Sequence, residues 1–125
     1  MPNYANTQPP YSLFPGDVGY AFNSEAVPSS AQAGSQFAVP HAPGFNESGR
    51  TVRWQTLFTT APSAINVSLQ SAMADVDAEY KDIDASTNAG GEARTVTAVQ
   101  ANFLRVKVNS ATVGSGAGFT AKLLM

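Results

Sequence analysis

The chain has 125 residues, a formal net charge of −2 and no cysteine. It therefore has room for one domain, but not for a disulfide framework, a thiolate metal site or the concentrated Lys/Arg face that nucleic acid requires. Its 13% of charged residues is well below the roughly 25% of an average soluble chain, and small and hydroxyl residues fill the gap, as on a surface that faces protein rather than water.

The first 45 residues hold seven of the eight prolines and seven of the twelve aromatics, and their only charges are Asp17 and Glu25. Proline fixes φ and removes a donor, so Pro2, Pro9, Pro10 and Pro15 forbid a long helix or a central strand. A disordered tail carries charge and few rings, whereas this segment has the opposite composition. Residues 1–34 are thus predicted to be an extended arm that inserts Tyr4, Tyr11, Phe14, Tyr20 and Phe22 into the surface of another protein. The stretch Ser29–Ser35 has the small, polar composition of a linker. No basic stretch leads into an apolar run, so a secretory signal is not expected. No window reaches about 18 apolar residues, so no membrane span is expected either.

Residues 35–125 read as a β domain. Gln36–Val39 is a first strand, stopped by Pro40, and Pro40–Gly44 is a turn. Thr51–Thr60 alternates, with Val52, Trp54, Thr56 and Phe58 on one face. After Pro62, Ala64–Gln70 places Ile65, Val67 and Leu69 opposite Asn66, Ser68 and Gln70. Met73–Ala78 reads as a loop, Glu79–Asp84 as a short strand, and only Ser71–Tyr80 offers a weak case for helix. Arg94–Val99, Asn102–Asn109 and Phe119–Leu124 follow as strands, separated by Ala85–Glu92 and the turn Gly114–Gly118. Short strands at about ten-residue spacing predict an all-β fold, a single β-sandwich or jelly-roll-like knob, with Trp54, Phe58, Ile65, Val67, Leu69, Phe103 and Val106 in its core.

Chemistry-bearing patterns are few. His41 is the lone histidine and sits between prolines in a turn, and neither a nucleophile elbow nor a zinc helix occurs, so no enzyme is expected. Asp75-x-Asp77-x-Glu79 has the opening spacing of a calcium loop, but Tyr80 stands where such a loop needs glycine and Ser86 where it needs glutamate. The acidic run reads instead as a solvated loop and strand face, and no metal or other cofactor is expected. Arg94, Arg105 and Lys107 read as outer-face residues, available to pair with the acidic run across subunits. Asn46-Glu47-Ser48 and Asn66-Val67-Ser68 match the glycosylation pattern, which matters only on a secretory route.

The stretch Trp54–Leu124 resembles small β-sandwich virion proteins of tailed bacteriophages. The residues that carry the likeness run from Phe58 to Gln70 (FTTAPSAINVSLQ), then Asp82–Thr87, Gly91–Arg94, Phe103–Val106 and the closing strand after the glycine turn. Where that family often has an Asp-Gly turn followed by tryptophan, this chain has Asp75–Tyr80. The resemblance implies a capsid decoration (cement) protein, made in the host cytoplasm and placed on the outer capsid surface. It would bind the major capsid protein through its arm, as a homo-oligomer with a trimer favoured. A carbohydrate-binding or fibre module, using Trp54 or Tyr80 as sugar platform, is the alternative, as is a tail or connector subunit.

Overall fold

A computed structural model describes residues 10–14, 16–39 and 50–125. Ten strands form two sheets packed face to face. They are β1 (Tyr11–Ser12), β2 (Val18–Glu25), β3 (Gln32–Ala33), β4 (Phe37–Ala38), β5 (Arg50–Leu57), β6 (Ala64–Ala72), β7 (Lys81–Ser86), β8 (Ala93–Val99), β9 (Phe103–Thr112) and β10 (Phe119–Leu124). The first sheet runs β1-β4-β9-β6-β7, with β3 also on β9, and the second runs β2-β10-β5-β8. The only helical turn among the described residues is a 3-10 turn at Asp77–Glu79, which replaces the weak helix case for Ser71–Tyr80. The strand expected over Glu79–Asp84 starts later, at Lys81, and runs to Ser86.

Alternation places the core. Ile65, Val67, Leu69, Leu104, Val106 and Val108 of the first sheet face Val52, Trp54, Ala121 and Leu123 of the second, all buried in one cluster. Phe58 packs against this cluster from its margin, its ring stacked on Phe119 with centroids 5.1 Å apart. Phe103 is a correction: it is half-buried and lies outside the cluster. In β9 it precedes the buried Leu104 and shares the outward register of Arg105, so strand geometry turns it away from the other sheet.

The larger correction concerns the arm. Residues 10–14 and 16–34 do not leave the sandwich, and the domain does not begin at residue 35. Strand β2 is the edge strand of the second sheet, paired antiparallel with β10 from Val18↔Leu124 to Glu25↔Phe119. Leu13 and Ala21 are buried, and Phe22 is 0% exposed, with its ring 4.8 Å from that of Phe119. Tyr11–Ser12 pairs in parallel with Phe37–Ala38, and Gln32–Ala33 pairs with Val108 and Lys107. The linker-like composition of Ser29–Ser35 thus ends in strand β3. The described prolines cause no conflict: Pro10 precedes β1, and Pro28 lies between β2 and β3.

Gly34 shows how tightly this segment is built in. Its N–H donates to the Val106 carbonyl, while the next N–H, of Ser35, donates to Ala21 in the other sheet. A Cβ on Gly34 would stand 2.5 Å from the Ala21 carbonyl oxygen, so only glycine lets the two sheets meet there.

Two outcomes follow from burial of this segment. Deleting residues 1–34 should abolish the cooperative thermal unfolding transition rather than release a folded knob. Replacing Phe22 with Ala should cost about 3–5 kcal/mol in denaturant unfolding, through lost transfer energy and an unfilled cavity. A deletion variant that melts like the full chain would contradict the assignment.

Candidate functional site

The described ionisable residues mostly serve structure. Asp84 on β7 and Arg94 on β8 lie on the outermost strands of the two sheets, and their side chains meet across the gap. Arg94 Nε and Nη2 donate to the two Asp84 oxygens at 2.8 and 3.0 Å, and Trp54 Nε1 donates to Oδ2 at 2.9 Å. Glu92 extends the cluster, accepting from the Ser86 hydroxyl at 2.6 Å and from Arg94 Nη1 at 3.4 Å. Burial pushes the Asp84 carboxyl upward, but bonds from Arg94, Trp54 and the Ala85 N–H, with the Arg94 charge, hold it below its ordinary value of 3.8.

A second cluster braces the loop before β7. Arg105 projects outward from β9 yet is only 5% exposed. Its Nε donates to Gln70 Oε1 at 2.7 Å, its Nη1 donates to Asp77 Oδ1 at 2.7 Å, and its guanidinium lies 4.0 Å from the centre of the Tyr80 ring. The Tyr80 hydroxyl donates to Asp75 Oδ1 at 2.8 Å, and Gln70 Nε2 donates to Asp82 Oδ1 at 2.8 Å. Burial and the bond to Asp75 raise the Tyr80 hydroxyl above its ordinary pKa.

The acidic run is therefore neither a calcium loop nor a merely solvated face: Asp75, Asp77, Asp82 and Asp84 each hold a specific side chain of the same chain. Arg94 and Arg105, expected to pair across subunits, pair within one. Among the described residues no group of His, Cys, Asp or Glu is arranged to hold a metal ion. Trp54 and Tyr80, the two candidate sugar platforms, are both buried.

Three exposed rings stand where the chain crosses from one sheet to the other. Tyr11 on β1 and Tyr20 on β2 are each 47% exposed, and Phe14, in the turn between them, is 52% exposed. The turn is fixed. The Phe14 N–H donates to Asp17 Oδ2 at 3.2 Å, the Asp17 N–H to the Phe14 carbonyl at 2.9 Å, and the Gly16 N–H to the Met125 carbonyl at 2.6 Å. An open groove of about 410 Å³ runs beside it, with Tyr11, Asp17, Val18 and Tyr20 on its walls and Gly19 and Phe37 at its base. The Tyr11 ring centre is 6.3 Å from that of Phe37. A Cβ on Gly19 would come within 2.6 Å of the Phe37 ring, so this glycine lets the ring lie against β2.

Of the five rings expected to bind a partner, the structure leaves Tyr11, Phe14 and Tyr20 half-exposed, with Tyr11 and Tyr20 lining one groove, while Phe22 belongs to the core. The burial of Phe22 follows from a register shift in β2 beside Ala121, which turns the consecutive residues Ala21 and Phe22 both inward. Tyr4, like His41 and Asn46, lies outside the described residues. Asp17, Val18 and Phe37 complete the groove and were not anticipated. The one local signal for them is the alternation of Val18 and Tyr20 against Gly19 and Ala21. No helix of the described residues is long and apolar enough to cross a membrane. Comparison with protein-family models finds no matching family, and comparison with curated proteins finds no matching relative.

Replacing Asp84 with Ala leaves the buried Trp54 N–H without an acceptor and should cost about 1–3 kcal/mol. Because the folded-state pKa of Asp84 is depressed, its contribution is present above the unfolded value of 3.8 and is lost as pH falls through the lower folded value. Stability of the parent protein should thus drop faster below pH 4 than that of Asp84→Ala, as read from denaturant midpoints across acid pH. Parallel pH profiles would show that the carboxylate does not carry this interaction.

Proposed function

We propose that the protein is a non-enzymatic structural module of a virion, a capsid decoration (cement) protein of a tailed phage that docks on the major capsid protein. The observation that carries this reading is the pair Tyr11 and Tyr20, half-exposed on the walls of one groove, with the half-exposed Phe14 in the hydrogen-bonded turn between their strands. Rings so placed have little order left to lose on binding, and partly exposed aromatics are the residues that become anchors when a second protein covers them. The carboxylates and guanidiniums of the two side-chain clusters are occupied with the fold, whereas the three rings are half-exposed. The likeness of Trp54–Leu124 to phage virion sandwiches supplies the kind of partner.

The mode of attachment differs from a flexible strap. The rings stand on β1, on β2 and in the turn between them, so the sandwich itself meets the shell and its N-terminal strands form the contact face. A carbohydrate module would need a platform other than the buried Trp54 and Tyr80. In this reading the protein sits on the outer shell, in copies placed beside one another.

The test uses the full chain and purified shells of the capsid protein. Replacing Tyr11, Phe14 and Tyr20 singly with Ser should each weaken co-sedimentation by about 2 kcal/mol, roughly thirtyfold in Kd. The melting temperature should stay near that of the parent, since these rings are half in water already. Shell binding unchanged in all three variants would reject this surface as the docking face.

A further inference from the structure

The two broad faces of the sandwich differ in charge, and each carries exposed apolar residues. On the outer face of the second sheet, the register sets Val18, Leu124 and Arg53 in one row and Tyr20, Lys122 and Gln55 in the next. Val18, Leu57 and Leu124 are exposed there, and a shallow groove of about 200 Å³ runs along Val18, Arg53, Lys122 and Leu124. Strands β5, β8 and β10 contain no Asp or Glu, and the one carboxylate of β2, Glu25, lies at the end of that strand away from Val18 and Leu124. Arg53 donates to the Thr95 hydroxyl at 3.2 Å.

The opposite face carries an acidic tip at the 3-10 turn, beside Lys81 on β7. The loop between β6 and β7 folds onto the outer side of the first sheet, where Arg105 and Tyr80 hold it. Its outward residues are Met73, 76% exposed, and Val76, with Asp77 and Glu79 on the exposed 3-10 turn. A groove of about 380 Å³ passes Met73, Ala78 and Glu79, with Lys81 on its far wall. Arg105 of β9 ties the loop down through Asp77 and the Tyr80 ring, and the Tyr80 hydroxyl donates to Asp75. This bracing presents an apolar and acidic tip in one fixed shape.

We infer that these two faces are the halves of a head-to-tail contact between copies of this chain. Met73 and Val76 of one copy cover Leu57 and Leu124 of the next, while Glu79 stands opposite Lys122 and Arg53. Both halves are present on one molecule, with Glu79 on the apolar tip of one and Lys122 and Arg53 beside the exposed apolar residues of the other. They lie on opposite faces of the sandwich, so one chain cannot join its own halves. The contact is heterologous, and repetition closes a ring if the rotation between copies allows it and otherwise builds a chain. A ring of three would be the homotrimer suggested by the resemblance, but the contact does not depend on what shell the copies bind.

The test is a charge exchange on the full chain in solution, without shells, so its failure is separate from that of the decoration reading. Lys122→Glu and Glu79→Lys change exposed side chains on opposite faces, and buried Trp54 emission reports that each variant is folded. By sedimentation velocity at low salt the parent should run above monomer mass, with the association weakening as salt rises. Each single variant should associate about tenfold more weakly or worse, since a like-charge contact replaces an opposite one. The double variant should recover association to within a few-fold of the parent, because the exchanged pair is again complementary. A parent that is monomeric at millimolar concentration, or a double variant no tighter than the singles, overturns the inference.

Discussion

The antiparallel pairing of β2 with β10 fixes which side chains of the N-terminal segment are available to anything outside the molecule. Because side chains alternate along a strand, a one-residue slip in that pairing would exchange its inward and outward sets. The register holds because Phe22 fills the core against Phe119, and because Gly34 lets the first sheet approach the Ala21 carbonyl. With Phe22 and Ala21 inward, Val18 and Tyr20 must face out. Leu13, buried at the crossing between sheets, in turn sets Tyr11 and Phe14 on either side of it. The exposed rings are thus a consequence of how the edge is sealed.

The opposite edge is sealed by charge. There Asp84 and Arg94 join the outermost strands, with Trp54 beneath them. Register shifts in β7 near Ile83 and in β8 near Ala98 interrupt both free edges, and Lys81 and Asp82 add charge to one of them, which discourages further strands from adding on.

Much of the sandwich was legible in the sequence because its central strands obey a strict period of two. Val52 and Trp54 in β5, and Ile65, Val67 and Leu69 in β6, show their inward phase in any six-residue window. Strand β2 was not legible as core. Its inward residues at 19 and 21 are Gly and Ala, its bulge breaks the phase at Phe22, and nearby prolines mimic an unstructured arm. The acidic run misled for a different reason. Asp77 meets Arg105 and Asp84 meets Trp54, pairings 28 and 30 residues apart that no local spacing encodes. Rings in a proline-rich segment did point to Tyr11, Phe14 and Tyr20, but their presentation on a folded edge needed the long-range partners Phe37 and Leu124.

Whether the rings stand on a folded edge or on a loose strap is decided most directly by hydrogen exchange of the protein alone. Amides of Val18–Glu25 that bond to β10 should exchange as slowly as those of β9, near the rate of global unfolding. Exchange of that segment at the rate of an unpaired chain, with β9 still protected, would contradict the account.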